Sequence, residues 1–149
     1  MGAVLEQHNL PLDEKKEIPG FIVIEGPIGV GKTTLANRLA ESFGSDLLLE
    51  GAEDNPFMEK FYDDPKAAAL PTQLFFLLQR ARQLKEMKQE DMFNPVRVAD
   101  FLIEKDRLFA QQTLDSVEYQ LYDNVFQHIT FFAPAPALVI YLQAPTETL

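Results

Sequence analysis

The sequence contains no cysteine, and its two histidines, His8 and His128, stand far apart. The absence of cysteine excludes disulfide bonds, thiolate metal ligands and cysteine nucleophiles. Lone histidines without metal-ligand spacing do not predict a zinc site, and we assign neither of them a role. Cysteine chemistry and zinc binding are therefore not expected.

Basic residues and long apolar runs are also scarce. The chain has 13 Lys and Arg against 23 Asp and Glu, a net charge of −10. This balance argues against a nucleic-acid partner, because a phosphate backbone requires basic patches. No apolar run approaches the roughly 20 residues that span a membrane, and residues 1–18 lack the basic start and apolar core of a signal peptide. We therefore expect a cytoplasmic protein with no membrane or nucleic-acid partner.

The composition is sufficient for a folded domain. Apolar residues make up 46% of the 149 residues, which allows one domain with a buried core. We predict a flexible N-terminal arm over residues 1–18 and a single domain over residues 19–149.

The most informative motif lies in the stretch FIVIEGPIGVGKTT, which starts at residue 21. An apolar, β-prone run leads directly into the pattern Gly-x-x-x-x-Gly-Lys-Thr, which is typical of a phosphate-binding P-loop. The glycines let backbone N–H groups turn toward phosphate oxygens, Lys32 reaches the β- and γ-phosphates, and the Thr33 hydroxyl is a ligand for Mg²⁺. Apolar residues at helical spacing follow, so a helix N-terminus adds to the anion site. The predicted nucleotide-binding residues are Gly26, Pro27, Ile28, Gly29, Val30, Gly31, Lys32, Thr33 and Thr34.

Strands and helices alternate along the rest of the chain. Short apolar runs predict strands over 46–50, 95–100 and 137–142, the last of them a buried parallel strand. Helical spacing predicts a short helix over 57–62, the longest helix over 72–89 with Pro71 in its first turn, and an amphipathic helix over 114–132. This order predicts an α/β, three-layer P-loop NTPase fold, in which helices flank a parallel sheet of about four strands.

Three of the predicted strands end in residues that suit phosphoryl transfer. The first strand leads into the P-loop, the second ends at Glu50 and the third ends at Asp100. Ligands of parallel sheets bind beyond the carboxyl ends of the strands. A phosphate cradle, a metal ligand and a carboxylate could therefore meet at one edge of the sheet.

Three motifs now occur in order: GPIGVGKTT from Gly26, Glu50 followed by Asn55-Pro56, and PTQLFFLLQR from Pro71. Together they resemble the deoxynucleoside kinase family, especially the bacterial deoxyadenosine/deoxyguanosine kinases. The resemblance runs from about residue 20 to the C-terminus. It implies transfer of the γ-phosphate of ATP to the 5′-hydroxyl of a deoxynucleoside, with a purine as the expected base and Mg²⁺ as a cofactor. It also implies a homodimer formed through helices beside the longest one.

The resemblance assigns a catalytic role to Glu50, which matches the family carboxylate that takes the proton of the 5′-hydroxyl. A sugar hydroxyl is a weak nucleophile, and a carboxylate within reach can orient it and accept its proton. Lys32 and Arg80 complete the predicted catalytic set. The alternative is that Glu50 is only a solvated charge at the end of a strand, in which case Glu53 is the nearest substitute.

The longest helix carries the predicted substrate contacts. Gln73 matches the family glutamine that pairs with the base through an amide with both a donor and an acceptor. Phe76 and Arg80 share its helical face, and Arg80 matches a family arginine near the substrate. The alternative is that this apolar run is simply core, as we expect for Leu74, Phe75 and Leu78. Tyr62 lies where the family places a contact to the sugar, or else it serves packing.

The match weakens after the third strand. Family members commonly carry an acidic residue, an arginine and a serine there, whereas this chain has Asp100-Phe101-Leu102. Asp100 remains a candidate for the Mg²⁺ site. Asp106 matches a family aspartate that contacts the base, and Arg107 is a candidate for the missing positive charge. Equally, this charged run could be a solvated helix start.

The end of the chain also differs from the family pattern. Family members continue into a helix, an arginine-rich lid over the phosphates and a further, fifth strand. Loss of an arginine that stabilises the transition state costs on the order of 10³ to 10⁵ in rate elsewhere. We therefore expect these 149 residues to bind nucleotide and to catalyse slowly or not at all, with an exposed sheet edge that favours self-association.

Two other functions stay open at this point. Another small P-loop kinase, acting on a nucleoside monophosphate or a metabolite, would share the P-loop. A catalytically incomplete nucleotide-binding module would agree with the missing lid. Glu50, Gln73 and Arg80 favour the nucleoside as acceptor, but a glutamine amide suits a purine or a pyrimidine edge equally well.

Overall fold

The computed structural model describes residues 20–27, 29–51, 54–89, 96–131 and 133–145. The strands are β1 (Phe21–Glu25), β2 (Leu47–Leu48), β3 (Arg97–Ala99) and β4 (Leu138–Tyr141). The helices are α1 (Lys32–Phe43), α2 (Met58–Asp63), α3 (Pro65–Gln89), α4 (Ile103–Thr113) and α5 (Ser116–Thr130). The predicted arm over 1–18 lies outside the described residues.

The four strands form one parallel sheet with the order β2-β3-β1-β4. Ile22 of β1 lies opposite Val98 of β3 on one side and Leu138 of β4 on the other. The strand order reverses around β1, and in open α/β sheets this is the point where ligands bind beyond the carboxyl ends. The predicted α/β fold with a parallel sheet is confirmed.

Strand β1 is buried along its whole length and divides the core into two parts. Phe21 and Val23 belong to the cluster that α3, α4 and α5 cover, whereas Ile22 and Ile24 belong to the cluster beneath α1. Side chains alternate between the two faces of a strand, so one apolar run supplies both clusters. The result is the three-layer arrangement that the sequence predicts.

Helix α3 begins earlier than predicted, and Pro71 lies inside it rather than in its first turn. The residues before Pro71 are three alanines and a leucine, which are good helix formers. Pro71 has no N–H to donate to the carbonyl of Ala67, but Ala67 is exposed, so water can satisfy that carbonyl. Strong local propensity and an exposed acceptor together explain why the helix continues through the proline.

The neighbouring residues Leu77 and Leu78 have opposite environments. Leu77 is completely buried, whereas Leu78 is 53% exposed, so the expectation that Leu78 is core is wrong. One step along a helix turns the side chain by about 100°, and only one of the two can face the sheet. Leu74 packs against the core as expected, and Phe75 makes an edge-on ring contact with Phe57.

Strand β4 is parallel, as predicted, but it is not buried. Leu138, Val139 and Tyr141 are all exposed, because β4 pairs only with β1 and forms the edge of the described sheet. An apolar composition indicates a strand, but it does not distinguish a central strand from an edge strand.

Helix α5 confirms the predicted amphipathic helix, with a start set by a capping box. The Asp115 carboxylate accepts a hydrogen bond from the Glu118 N–H at 2.8 Å, and Glu118 accepts one from the Asp115 N–H at 3.2 Å. Helix α2 confirms the predicted short helix. Among the described residues, no helix is both long enough and apolar enough to cross a membrane.

Candidate active site

The P-loop follows β1 and has the backbone that its glycines predict. Gly26, Gly29 and Gly31 have φ angles of 152°, 82° and 97°, a region that other residues rarely adopt. Gly26 also lies against the backbone, since a Cβ placed there would be 2.6 Å from the carbonyl oxygen of Leu142. Helix α1 starts at Lys32 with Gly31 as its N-cap, so no side chain occupies the N–H groups of its first turn. N–H groups left without a side-chain cap at a helix N-terminus suit the binding of an anion.

Two residues of the sequence predictions for this region, Ile28 of the loop and Glu53 as the substitute for Glu50, lie outside the described residues.

Asp100, directly after β3, connects the P-loop helix to the loop after β2. One of its carboxylate oxygens accepts the hydroxyl of Thr33 at 3.1 Å, and the other accepts the backbone N–H of Glu50 at 2.8 Å. The structure thus brings together the ends of all three strands that the sequence singles out.

No group of three His, Cys, Asp or Glu side chains suited to a metal occurs among the described residues. Mg²⁺ does not need such a group, because it commonly takes one or two protein oxygens together with water and phosphate. The donor set of Thr33 and Asp100 therefore fits this metal.

Arg80 lies at the centre of a buried ionic cluster. Its guanidinium pairs with the carboxylate of Asp106 on one side and with Glu50 at 2.5 Å on the other. The rings of Phe76 and Phe101 lie 5.0 Å and 5.7 Å from the same guanidinium, as in cation–π contacts. Asp106 belongs to the first turn of α4, where it is almost fully buried, so the expectation of a solvated helix start does not hold for this residue. Phe101, the residue after Asp100, contacts Arg80 through its aromatic ring and contributes no charge.

Burial in this cluster changes the ionisation of two groups. Burial lowers the pKa of the Arg80 guanidinium, and the carboxylate of Glu50 acts in the opposite direction. Burial likewise raises the pKa of Tyr122 well above its usual value, so its hydroxyl stays protonated. Within the described part of the chain, Asp106 Oδ2, Arg80 Nε and the Tyr122 hydroxyl have no hydrogen-bond partner. Buried polar atoms with unused hydrogen-bonding capacity are places where a bound ligand gains affinity.

Glu25 and Lys105 are two residues of the site that the sequence prediction missed. Glu25 ends β1, is 7% exposed, and accepts the Gly26 N–H at 2.9 Å. The same carboxylate oxygen pairs with Lys105 of α4 and lies 3.9 Å from the ammonium of Lys32. A carboxylate at the end of β1 has the same position in the fold as Glu50 and Asp100, so the strand-end rule could have found it.

Arg107 does not reach this cluster through its guanidinium. Its Nε lies 2.7 Å from Asp123 of α5, and the guanidinium lies 5.5 Å from the ring of Phe126. The hypothesis that Arg107 supplies the missing charge after Asp100 is therefore not supported by its contacts.

These groups line one cavity at the carboxyl edge of the sheet. Its walls are Glu25, Lys32, Glu50, Arg80, Asp100, Phe101, Leu102, Lys105, Asp106 and Phe109. Gln73 is buried on α3 and Phe76 contacts Arg80, but neither lines this cavity. Tyr62 is 76% exposed and packs against Phe61, so the structure does not bring it to the site.

The fold and the site define a P-loop nucleotide-binding protein, with a phosphate cradle beside a buried arginine–carboxylate cluster. The family model for deoxynucleoside kinases matches residues 22–149. This chain belongs to the deoxynucleoside kinase family.

Individual relatives agree with this assignment. A deoxyguanosine kinase from Bacillus subtilis (strain 168) is 40% identical over 131 residues, which cover 87% of this chain and 63% of that protein. A deoxyadenosine/deoxycytidine kinase from the same organism is 31% identical, over 97% of this chain and 66% of that protein. The structure of deoxyadenosine kinase from M. mycoides with bound dATP superposes with a TM-score of 0.69 at 25% identity, covering 86% of this chain and 67% of that one. The chain thus spans about two thirds of the length of these relatives.

Proposed function

We propose that this protein is a deoxynucleoside kinase, which transfers the γ-phosphoryl group of ATP to the 5′-hydroxyl of a purine deoxynucleoside. The observation that carries the proposal is the pairing of Arg80 with both Glu50 and Asp106, in the cavity that the P-loop lysine also lines. A phosphate cradle and an acceptor site thus share one cavity. Phosphoryl transfer requires this proximity, because catalysis here is mainly positioning and electrostatic stabilisation.

The charges at the acceptor end support a neutral acceptor. Arg80 supplies the positive charge at this end, and its guanidinium is already paired with the carboxylates of Glu50 and Asp106. A nucleoside monophosphate brings an additional dianion and would need unpaired basic groups around it. A nucleoside brings only hydroxyl and base groups, which carboxylates and a guanidinium can bind through hydrogen bonds. The nucleoside is therefore the better acceptor for this site.

Glu50 is the proposed general base. Its side chain is 38% exposed and so accessible to a hydroxyl, while Arg80 holds its carboxylate and Asp100 holds its backbone N–H. A carboxylate fixed in this way can orient the 5′-hydroxyl and accept its proton as the phosphoryl group transfers. Arg80 is thus proposed to act through its contact with this general base, and the 5′-hydroxyl is proposed to bind next to Glu50.

The phosphate end supplies the cradle and the proposed metal ligands. Backbone N–H groups of the P-loop bind the phosphates of ATP, and Lys32 contacts the β- and γ-phosphates. Thr33 and Asp100 are the residues that would hold Mg²⁺, which neutralises charge on the phosphates when it is bound. The Thr33 hydroxyl donates a hydrogen bond to Asp100 at 3.1 Å, so the two oxygen atoms are neighbours, which supports this proposal.

Asp106 and Gln73 are the proposed contacts to the base. Asp106 Oδ2 is buried and, among the described residues, lacks a hydrogen-bond partner, so it can accept from an amino or imino group of a base. Gln73 lies on the same helix as Arg80 but is buried and does not line the cavity, so its proposed contact rests on the family resemblance. The proposal of Tyr62 as a sugar contact rests on the family resemblance alone, since its side chain is 76% exposed and does not line the cavity. The preference for purines is supported by relatives named for deoxyguanosine and deoxyadenosine.

A coupled ATP-consumption assay with each of the four deoxynucleosides tests the proposal. We expect slow turnover with deoxyguanosine or deoxyadenosine, and a further loss of about 10²- to 10⁴-fold in Glu50→Gln. Glu59→Gln, which changes an exposed glutamate of α2, is the matched control and should leave turnover unchanged. Turnover with a nucleoside monophosphate but with no deoxynucleoside would reject the proposal. ATP binding without any turnover would support only a nucleotide-binding role for this chain.

We also propose a cytoplasmic homodimer, as the family resemblance implies. Exposed apolar side chains on α4 and α5, namely Leu108, Val117 and Leu121, support a subunit contact through these helices. Light scattering coupled to size-exclusion chromatography should give twice the mass of the 16.9 kDa chain. A monomer at micromolar concentration would contradict the homodimer while leaving the proposed reaction intact.

A further inference from the structure

The cavity contains three cationic side chains, and they are not equivalent. Arg80 is held between Glu50 and Asp106, so its charge is already balanced at the acceptor end. Lys32 and Lys105 are both near a single atom, Glu25 Oε1, at the phosphate end. Lys105 is thus placed beside the P-loop lysine although it comes from a different layer of the fold.

The position of Lys105 on its helix is unfavourable for a simple structural cation. It is the third residue of α4, and the first turn of a helix carries a partial positive charge that repels an ammonium group. Both neighbours of Lys105 in this turn, Glu104 and Asp106, are acidic, as the helix dipole favours. Lys105 breaks this pattern, which indicates that its charge is needed at the cavity rather than for the helix.

Glu25 has other partners besides Lys105. Its Oε1 atom also accepts the Gly26 N–H at 2.9 Å and lies 3.9 Å from Lys32. The side chain of Lys105 is 34% exposed, compared with 9% for Glu25, so the lysine is the more solvent-accessible member of the pair. An ammonium on a flexible four-carbon stem can exchange one anionic partner for another.

At the position after Asp100, where the family pattern has an arginine, this chain has the aromatic residue Phe101. Phe101 supports Arg80 at 5.7 Å, and Arg107 is bound to Asp123. Of the cations that line the cavity, Lys105 is the one that is close to the P-loop and does not belong to it.

We propose that Lys105 is a second phosphate-binding cation of this site, held at the P-loop by Glu25 until phosphate displaces that carboxylate. It would provide the positive charge expected after Asp100. This inference rests on the proposed function for the identity of the phosphate as that of ATP. The binding chemistry itself requires only an anionic polyphosphate at the P-loop.

Binding of inorganic tripolyphosphate, measured by calorimetry, tests Lys105 without an acceptor or turnover. We expect Lys105→Gln to weaken binding by about 10- to 100-fold, the range of a charge-assisted hydrogen bond. Lys105→Arg should retain most of the affinity. Arg107→Gln is the control of equal charge on the same helix, and we expect a change of less than about threefold, because that guanidinium faces Asp123. Equal weakening in Lys105→Gln and Arg107→Gln, or no binding by the unaltered chain, would overturn the proposal.

A second experiment in the Glu25→Gln variant distinguishes two roles of Lys105, namely binding phosphate and neutralising the carboxylate of Glu25. If Lys105 binds phosphate, adding Lys105→Gln to Glu25→Gln still weakens tripolyphosphate binding by about tenfold or more. If Lys105 only balances the buried carboxylate, the second change has no effect and the proposal fails.

Deoxynucleoside turnover is measured separately. Turnover with unchanged tripolyphosphate binding in Lys105→Gln would reject this inference alone, and Lys105-dependent binding without turnover would reject the kinase proposal alone.

Discussion

The two ends of the site are built in different ways. The phosphate end is mostly one continuous segment, residues 26–34, in which backbone geometry provides the donors. The acceptor end consists of side chains from separate elements, with Arg80 30 residues from Glu50 and 26 residues from Asp106 in sequence. Two of its charges, Arg80 and Asp106, are also buried and depend on each other. We therefore expect changes at the phosphate end to affect chemistry, and changes at the acceptor end to affect folding as well.

The largest expected effect is at the phosphate end. Lys32→Ala should lower turnover by about 10³-fold, since it removes a charge that we propose stabilises the transferring phosphoryl group. Its effect on the free energy of unfolding should stay below about 1 kcal/mol, because the Lys32–Glu25 contact is long, at 3.9 Å. Turnover assays and thermal melts measure the two effects, with the exposed Lys66→Ala as the control. A loss of turnover below tenfold would show that the P-loop lysine is not part of catalysis.

Arg80→Met, unlike Lys32→Ala, should lower the free energy of unfolding strongly. It leaves Asp106 buried without its cation, and breaking a buried pair on one side costs about 3 to 5 kcal/mol of unfolding free energy. Arg82→Met, two residues away, removes a guanidinium with an 81% exposed side chain and should change stability by less than about 0.5 kcal/mol. Urea denaturation of both variants makes the comparison. Similar small changes in the two would mean that the acceptor end does not contribute to folding.

Leu77 and Leu78 compare the buried and the exposed face of α3, the helix that carries Arg80. Leu77→Ala should lower the free energy of unfolding by about 3 kcal/mol, because Leu77 is completely buried. Leu78→Ala should cost less than about 1 kcal/mol, since that side chain is 53% exposed. The same urea titration measures both variants. A larger effect in Leu78→Ala would show that this face of α3 is covered in solution.

The smallest expected effect concerns the proposed metal. Asp100→Asn keeps an acceptor for the Glu50 N–H but removes the negative charge beside Thr33. We expect the Mg²⁺ concentration for half-maximal turnover to rise about tenfold, with little change in stability. A Mg²⁺ titration of turnover gives this value, and the exposed Asp63→Asn is the control. An unchanged Mg²⁺ requirement would remove Asp100 from the metal site.

The difference between the two ends also explains what sequence reasoning can predict. The P-loop and the strand ends at Glu50 and Asp100 are predictable, because contiguous motifs and sheet topology place them. The Arg80–Asp106 pair and the Glu25–Lys105 pair do not follow from the sequence, since charge pairing between distant segments depends on packing. The resemblance to a family points to Arg80 and Asp106 individually, but it does not indicate that they bind each other.

The errors in the predicted fold have local physical causes. Proline favours the first turn of a helix, which predicts a start at Pro71, but the upstream alanines extend the helix. Leu78 and β4 are exposed, contrary to expectation. Apolar composition does not specify which face of a helix, or which strand of a sheet, is buried by neighbouring elements.

The close approach of Gly26 to Leu142 has a consequence for how this family can change over evolutionary time. A side chain at Gly26 would collide with the end of β4, whereas a Cβ at Gly29 or Gly31 would meet nothing within 4 Å. Selection on folding alone would therefore preserve the first glycine in a descendant that no longer transfers phosphate. At Gly29 and Gly31 a side chain meets only the strain of a positive φ angle, about 1 to 2 kcal/mol, whereas at Gly26 it also collides with backbone, so a surviving Gly26 is a record of the fold and not of activity.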